Sequence, residues 1–92
     1  MQINVQYEAQ VRRAIGLRLE KISVPDGSTV SDCVQRVAEV HSEKVGTILL
    51  NDSNDVQASL LMFLNDSQVL HDDAAILSEG DTLTLMTPIS GG

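Results

Sequence analysis

Pro25-Asp26-Gly27-Ser28-Thr29-Val30-Ser31-Asp32-Cys33-Val34-Gln35-Arg36-Val37-Ala38-Glu39-Val40-His41 is the stretch on which the fold reading turns. Pro25 to Ser28 carry turn chemistry. Thr29 stands where a helix N-cap belongs, with Asp32 three residues on as its reciprocal partner. Val30, Cys33, Val34, Val37, Ala38 and Val40 then recur at helical spacing, while Asp32, Gln35, Arg36 and Glu39 fall on the other face. The pattern predicts an amphipathic helix over 30–41. Its valines give it mediocre intrinsic propensity, so packing on a sheet must supply most of its stability.

Upstream, residues 2–8 alternate, with Ile3, Val5 and Tyr7 on one face and Gln2, Asn4, Gln6 and Glu8 on the other. That is a half-buried strand. Arg12, Arg13 and Gly16 break the pattern and predict a turn. A second strand follows over 17–24, its alternation slipping near Glu20-Lys21 as a bulge would make it. The pair reads as an antiparallel hairpin.

Downstream, residues 42–58 are less legible. Ile48-Leu49-Leu50 reads as a short buried segment and residues 51–55 as a polar loop. Leu60 to Leu64 is an apolar run suited to an interior strand, and Asn65 to Gln68 a turn before a short return strand at Val69-Leu70. Residues 71–77 hold at most one helical turn. Ser78-Glu79-Gly80-Asp81 turns the chain into a last strand, Thr82 to Thr87, with Leu83 and Leu85 on one face; Pro88 ends it. One main helix crossing between a hairpin and later strands defines an α+β roll with a mixed sheet of four to five strands. The simplest closure pairs the first strand with the last in parallel.

The chain has 92 residues, enough for one domain with a modest core. Only Tyr7 and Phe63 are aromatic, so the core must be aliphatic. Six basic against 13 acidic side chains leave a net charge of −7. Nucleic acid is a poor partner for such a chain, and a basic protein surface a better one. A lone cysteine, Cys33, precludes an internal disulfide and fits a reducing, cytoplasmic setting. No basic-then-apolar leader opens the chain, and no apolar run approaches the roughly 20 residues that span a bilayer. Cys33 on the helix's apolar stripe reads as core, and His41 and His71 as surface residues, since their spacing makes no zinc pattern. Asp72-Asp73 reads as a solvated edge.

The chain ends Thr87-Pro88-Ile89-Ser90-Gly91-Gly92. Glycine is about 7% of average composition, so a diglycine end arises by chance in roughly one chain in two hundred. Lacking Cβ atoms, such an end can enter a narrow site and offer its carboxylate to a second protein. Residues 1–87 form the expected domain and 88–92 a flexible tail.

At this point the sequence resembles the ubiquitin-like β-grasp sulfur carriers of the MoaD/ThiS type. The likeness rests on four stretches: Ala9-Gln10-Val11-Arg12 after the first strand; Val24-Pro25-Asp26-Gly27-Ser28-Thr29-Val30, close to the family's "VPEGATV"; Phe63-Leu64-Asn65-Asp66; and Leu77-Ser78-Glu79-Gly80-Asp81-Thr82-Leu83 followed by Pro88-Ile89-Ser90-Gly91-Gly92. Thr87 stands where the family usually has the first of two prolines. The resemblance implies a carrier with no catalytic groups or bound cofactor of its own. An adenylating enzyme of the ubiquitin-activating kind would spend ATP on the Gly92 carboxylate, and a sulfur donor would turn it into a thiocarboxylate. The sulfur would pass to a large synthase subunit or another acceptor, in molybdopterin-type or thiamine synthesis. Carried over, Gly92 is the reacting residue, with Pro88, Ile89, Ser90 and Gly91 in the partner's channel. Phe63, Glu79, Asp81 and Met86 are candidate partner contacts. The alternatives are a ubiquitin-like modifier joined to lysines through Gly92, and a β-grasp binding module with no chemistry at its end. An iron–sulfur protein of this fold would need four cysteines.

Overall fold

The computed structural model describes residues 1–70 and 74–87. Five strands form one mixed sheet: β1 (Gln2–Tyr7), β2 (Leu19–Ser23), β3 (Leu61–Leu64), β4 (Ser67–Val69) and β5 (Thr82–Met86), in spatial order β2-β1-β5-β3-β4. β1 and β5 are central and parallel, and every other neighbouring pair is antiparallel. The closure of first strand on last is as the sequence predicts.

Among the described residues three helices accompany the sheet: α1 (Ala9–Ile15), α2 (Val30–Val40) and α3 (Ser42–Leu49). α2 is the expected one. Thr29 Oγ1 accepts from Asp32 N–H at 3.2 Å, and an Asp32 carboxylate oxygen accepts from Thr29 N–H at 2.9 Å, completing the capping box. Val30, Cys33, Val34, Val37 and Ala38 are buried as their spacing predicts, but Val40 is exposed because the helix ends there.

The other two helices correct the sequence reading. Residues 9–15 are a helix where a turn was expected. Val11 and Ile15, four apart, bury one face, and Gly16 at φ +86° ends the helix by donating its N–H to Arg12 C=O. β1 and β2 are therefore joined by a helix, not by a tight turn. α3 likewise replaces the isolated segment expected near residue 48, burying Val45 and Leu49. The proposed bulge is absent. Register runs unbroken from Gln2 opposite Ser23 to Gln6 opposite Leu19, and the slip in alternation arises because Leu17 and Leu19 are simply exposed. The turn between β3 and β4 is only Asn65-Asp66, with Asn65 in the left-handed region at φ +56°. Residues 74–77 are extended, not helical. Leu77 N–H donates to Ser28 C=O and Val30 N–H to Ala75 C=O, pinning this segment to the start of α2.

Core residues from all three helices meet the inward face of the sheet in one aliphatic cluster. It includes Ile3, Val5, Tyr7, Val34, Val37, Met62, Leu83 and Leu85. Met62 and Leu64 are the inward members of β3, which leaves Leu61 and Phe63 on the open face.

Candidate functional site

The site is the root of the tail, where β5 ends. Its position follows from the pairing. β5 is hydrogen-bonded along both edges, to β1 and β3, so the chain reaches Thr87 from the middle strand of the sheet. The helix that sequence reading missed grips this end from one side. Glu8 N–H donates to Leu85 C=O at 3.0 Å. Beyond it, the Thr87 hydroxyl donates to the Gln10 side-chain carbonyl on α1 at 3.1 Å, and Thr87 is buried. Ala9, between these two contacts, sits at φ +53°, a left-handed conformation that costs an alanine about 1–2 kcal/mol. The strain lets β1 bend into α1 within one residue and brings Gln10 over the end of β5. No local signal marks Gln10, because its partner lies 77 residues away.

Pro88, Ile89, Ser90 and Gly91, which the family resemblance places in the partner's channel, and Gly92, which it makes the reacting residue, lie outside the described residues, as do His71, Asp72 and Asp73. The candidate contacts within the described residues fall into two groups. Leu61 pairs with Met86 and Phe63 with Thr84, so Leu61, Phe63 and Met86 share the open face, half-buried, toward the tail end of β5. Glu79 and Asp81 sit at the opposite end of that strand, some 17 Å away at about 3.3 Å per residue. Both serve the turn there. Glu79 accepts from Gln2 N–H at 2.9 Å, and Asp81 accepts from Ser78 N–H at 2.8 Å and from the Asn65 side-chain amide at 3.3 Å.

Two other titratable groups are fixed in the fold. Cys33 is wholly buried, and loss of solvation pushes its thiol up to about 12, so it stays protonated and poorly nucleophilic at neutral pH. His41 is not a surface residue as expected. Its Nε2 lies 2.6 Å from Glu20 Oε2 with the side chain only 15% exposed, and the Tyr7 hydroxyl donates to the same oxygen at 3.0 Å. Burial, then the facing Glu20 carboxylate, drives the Tyr7 phenol well above its usual range. This polar plug closes the gap between β2 and the α2–α3 junction. A cleft of about 840 Å³ between α2, α3 and the 51–57 loop is lined by Gln35, Gly46 and Gln57, away from the tail root. The amides of Gln35 and Gln57 are already engaged in holding that loop. Among the described residues no three metal-binding side chains converge, and no helix is long and apolar enough to cross a membrane.

A five-stranded mixed sheet with parallel central strands, carrying its helices on one face, is the ubiquitin-like β-grasp fold. Across its whole length the chain superposes on SAMP1 of Haloferax volcanii, covering all of that chain too, with a TM-score of 0.88 at 20% identity, a likeness of fold. The ThiS family model matches residues 5–92, and the chain belongs to that family of small sulfur-carrier and ubiquitin-like proteins, which are carriers and not enzymes. It is similar over its full length, and theirs, to a molybdopterin synthase sulfur carrier subunit of Chlamydomonas reinhardtii at 26% identity. The corresponding match to small archaeal modifier protein 3 of Haloferax volcanii is 23% identical over 94 residues.

Proposed function

We propose that this protein is a sulfur carrier whose Gly92 carboxylate is activated by a separate adenylating enzyme. The observation that carries the proposal is that the family match runs through residue 92, so it includes the diglycine end as well as the β-grasp body. A carboxylate oxygen of Gly92 attacks the α-phosphorus of ATP bound to the partner, and pyrophosphate leaves. Sulfur at the sulfide level, supplied by a donor, then attacks the acyl carbon and AMP departs, leaving a thiocarboxylate. Both steps use the partner's groups. The chain contributes a slender end on a fixed root, which turns a bimolecular search into a positioned reaction. Phe63 and Met86 on the open face, with Leu61 between them, suit docking of the partner, while Pro88 to Gly91 thread its channel. Glu79 and Asp81, already engaged in the turn, make weaker contacts. The large subunit of a molybdopterin-type synthase is the favoured acceptor, by likeness to the algal carrier; thiazole synthesis is the alternative.

The likeness to the archaeal modifier supports a second reading, in which a lysine amine attacks the same adenylate-derived intermediate and an isopeptide forms through Gly92. Intact-mass analysis of protein purified from its native cells separates the two. Replacement of one oxygen by sulfur at the carboxyl end is expected for the carrier. Gly92 recovered in isopeptide linkage, with no thiocarboxylate, would replace it with the modifier. Removal of Gly91 and Gly92 should abolish either activity, and a truncated chain that still supports cofactor synthesis would overturn both.

A further inference from the structure

β2 forms one edge of the sheet. Its pairing with β1 fixes which backbone groups face outward. Met1 and Val24 exchange hydrogen bonds of 2.8 and 3.0 Å, and Tyr7 N–H donates to Arg18 C=O at 2.8 Å. Close pairs alternate along an antiparallel ladder, so Arg18, Glu20 and Ile22 direct their N–H and C=O groups toward β1. Leu19, Lys21 and Ser23 direct theirs to the outside, where no neighbouring strand lies among the described residues. Such a row is a template for another strand. β2 has no proline and no bulge, and among the residues whose backbone faces outward only Lys21 carries a charge. Leu19 and Leu17 are also 57% and 43% exposed.

We propose that the chain self-associates through β2 as a symmetric antiparallel pair with Leu19 on the two-fold axis. A two-fold pairing must match outward groups with outward groups and keep each residue on its own face of the joined sheet. Centring the pair on Arg18, Glu20 or Lys21 sets like charges directly opposite each other, which is destabilising. Centring it on Ile22 leaves Leu19 outside the contact. Centring it on Leu19 sets that side chain against its copy on the open face, and Leu17 against the aliphatic stem of Lys21. On the helix-bearing face it places Arg18 opposite Glu20 of the second copy, twice over. Glu20 keeps one carboxylate oxygen for this contact, because Tyr7 and His41 both meet Oε2. β1 separates this edge from β5, whose end is the root of the tail, so pairing leaves that root uncovered. The inference is independent of what happens at Gly92.

Site-specific cross-linking of the full chain tests the register. Cys33 is buried, so an introduced thiol is the reactive one. Leu19→Cys should oxidise to a disulfide-linked dimer, because facing close pairs have Cα atoms about 5.5 Å apart, inside the span of a disulfide. Lys21→Cys, which faces Leu17 across the axis, should cross-link far less. In sedimentation of the unmodified chain, the weight-average mass should rise toward that of a dimer with concentration. Arg18→Glu, with its fold checked by circular dichroism, should weaken the association roughly tenfold or more. A chain that remains monomeric at millimolar concentration overturns the proposal, as does Lys21→Cys cross-linking as readily as Leu19→Cys.

Discussion

Thr87 and Gln10 show how much one hydroxyl can govern. Their hydrogen bond ties the last described residue of the chain to α1, across 77 positions of sequence. Thr87→Val keeps the shape and removes the donor. Because Gln10 is exposed and can turn to water, the expected stability loss is only about 0.5–1.5 kcal/mol in urea unfolding. The larger expected effect is on the KM of the proposed adenylating partner for the chain, with kcat little changed, since direction of approach is disturbed and chemistry is not. Thr87→Ser should restore the KM; a KM unaltered in Thr87→Val would deny the latch a positioning role. Cys33 and Tyr7 supply a second test at this scale. Both have folded-state values raised above the unfolded ones of 9.0 and 10.0. The neutral forms are therefore favoured by folding, and that contribution is complete below about pH 9. As pH rises further, the unfolded chain loses protons that the folded chain keeps, and stability falls by up to about 1.4 kcal/mol per pH unit per group. Urea unfolding from pH 8 to 11 should show the decline, and Tyr7→Phe should flatten its upper part.

At the scale of the element, α2 depends on its first turn more than on its composition. Six of its 11 residues are the valine, serine and aspartate types that form helices only moderately well, before Cys33 is counted. The capping box compensates by satisfying two otherwise unpaired N–H groups. Thr29→Ala should cost about 1 kcal/mol, and Thr29→Ser much less, in thermal or chemical unfolding. An unchanged midpoint in Thr29→Ala would mean that the 74–77 strap, hydrogen-bonded to Ser28 and Val30, holds the helix start alone. This element was legible because cap, period and turn all lie within 17 consecutive residues. α1 and α3 were not. Each offers one apolar pair four residues apart, Val11 with Ile15 and Val45 with Leu49, too short a run to establish a period. The clue that was present is Gly16, a helix-ending glycine at φ +86° that also reads as a turn residue.

For the whole molecule, the division of β3 between two faces is decisive. Met62 lies in the core and Phe63, next to it, on the open face. Met62→Ala should destabilise the fold by about 2–5 kcal/mol whatever the partner does. Phe63→Ser, which removes a half-buried side chain, should cost less stability than Met62→Ala yet weaken partner binding by tenfold or more, as loss of a central apolar anchor does. Calorimetry of the chain alone and titration against the adenylating enzyme separate these outcomes; a Phe63→Ser chain that binds normally would move the docking surface elsewhere.

Local pattern alone determined the order of strands and α2 along the chain, the burial of Cys33 and the singling out of Gly91 and Gly92, while the β-grasp assignment came with the family resemblance. Alternation, helical period and turn chemistry are short-range, so a single chain can carry them in plain view. Tertiary structure alone decided which side of Leu61 to Leu64 meets the core, that His41 is locked against Glu20 and Tyr7, and that Gln10 holds Thr87 at the root of the tail. Those contacts join residues brought together by sheet closure, and their energies depend on what surrounds each group once water has been excluded. Glu20 and His41 lie 21 positions apart and Gln10 and Thr87 lie 77 apart, so no short window contains both partners.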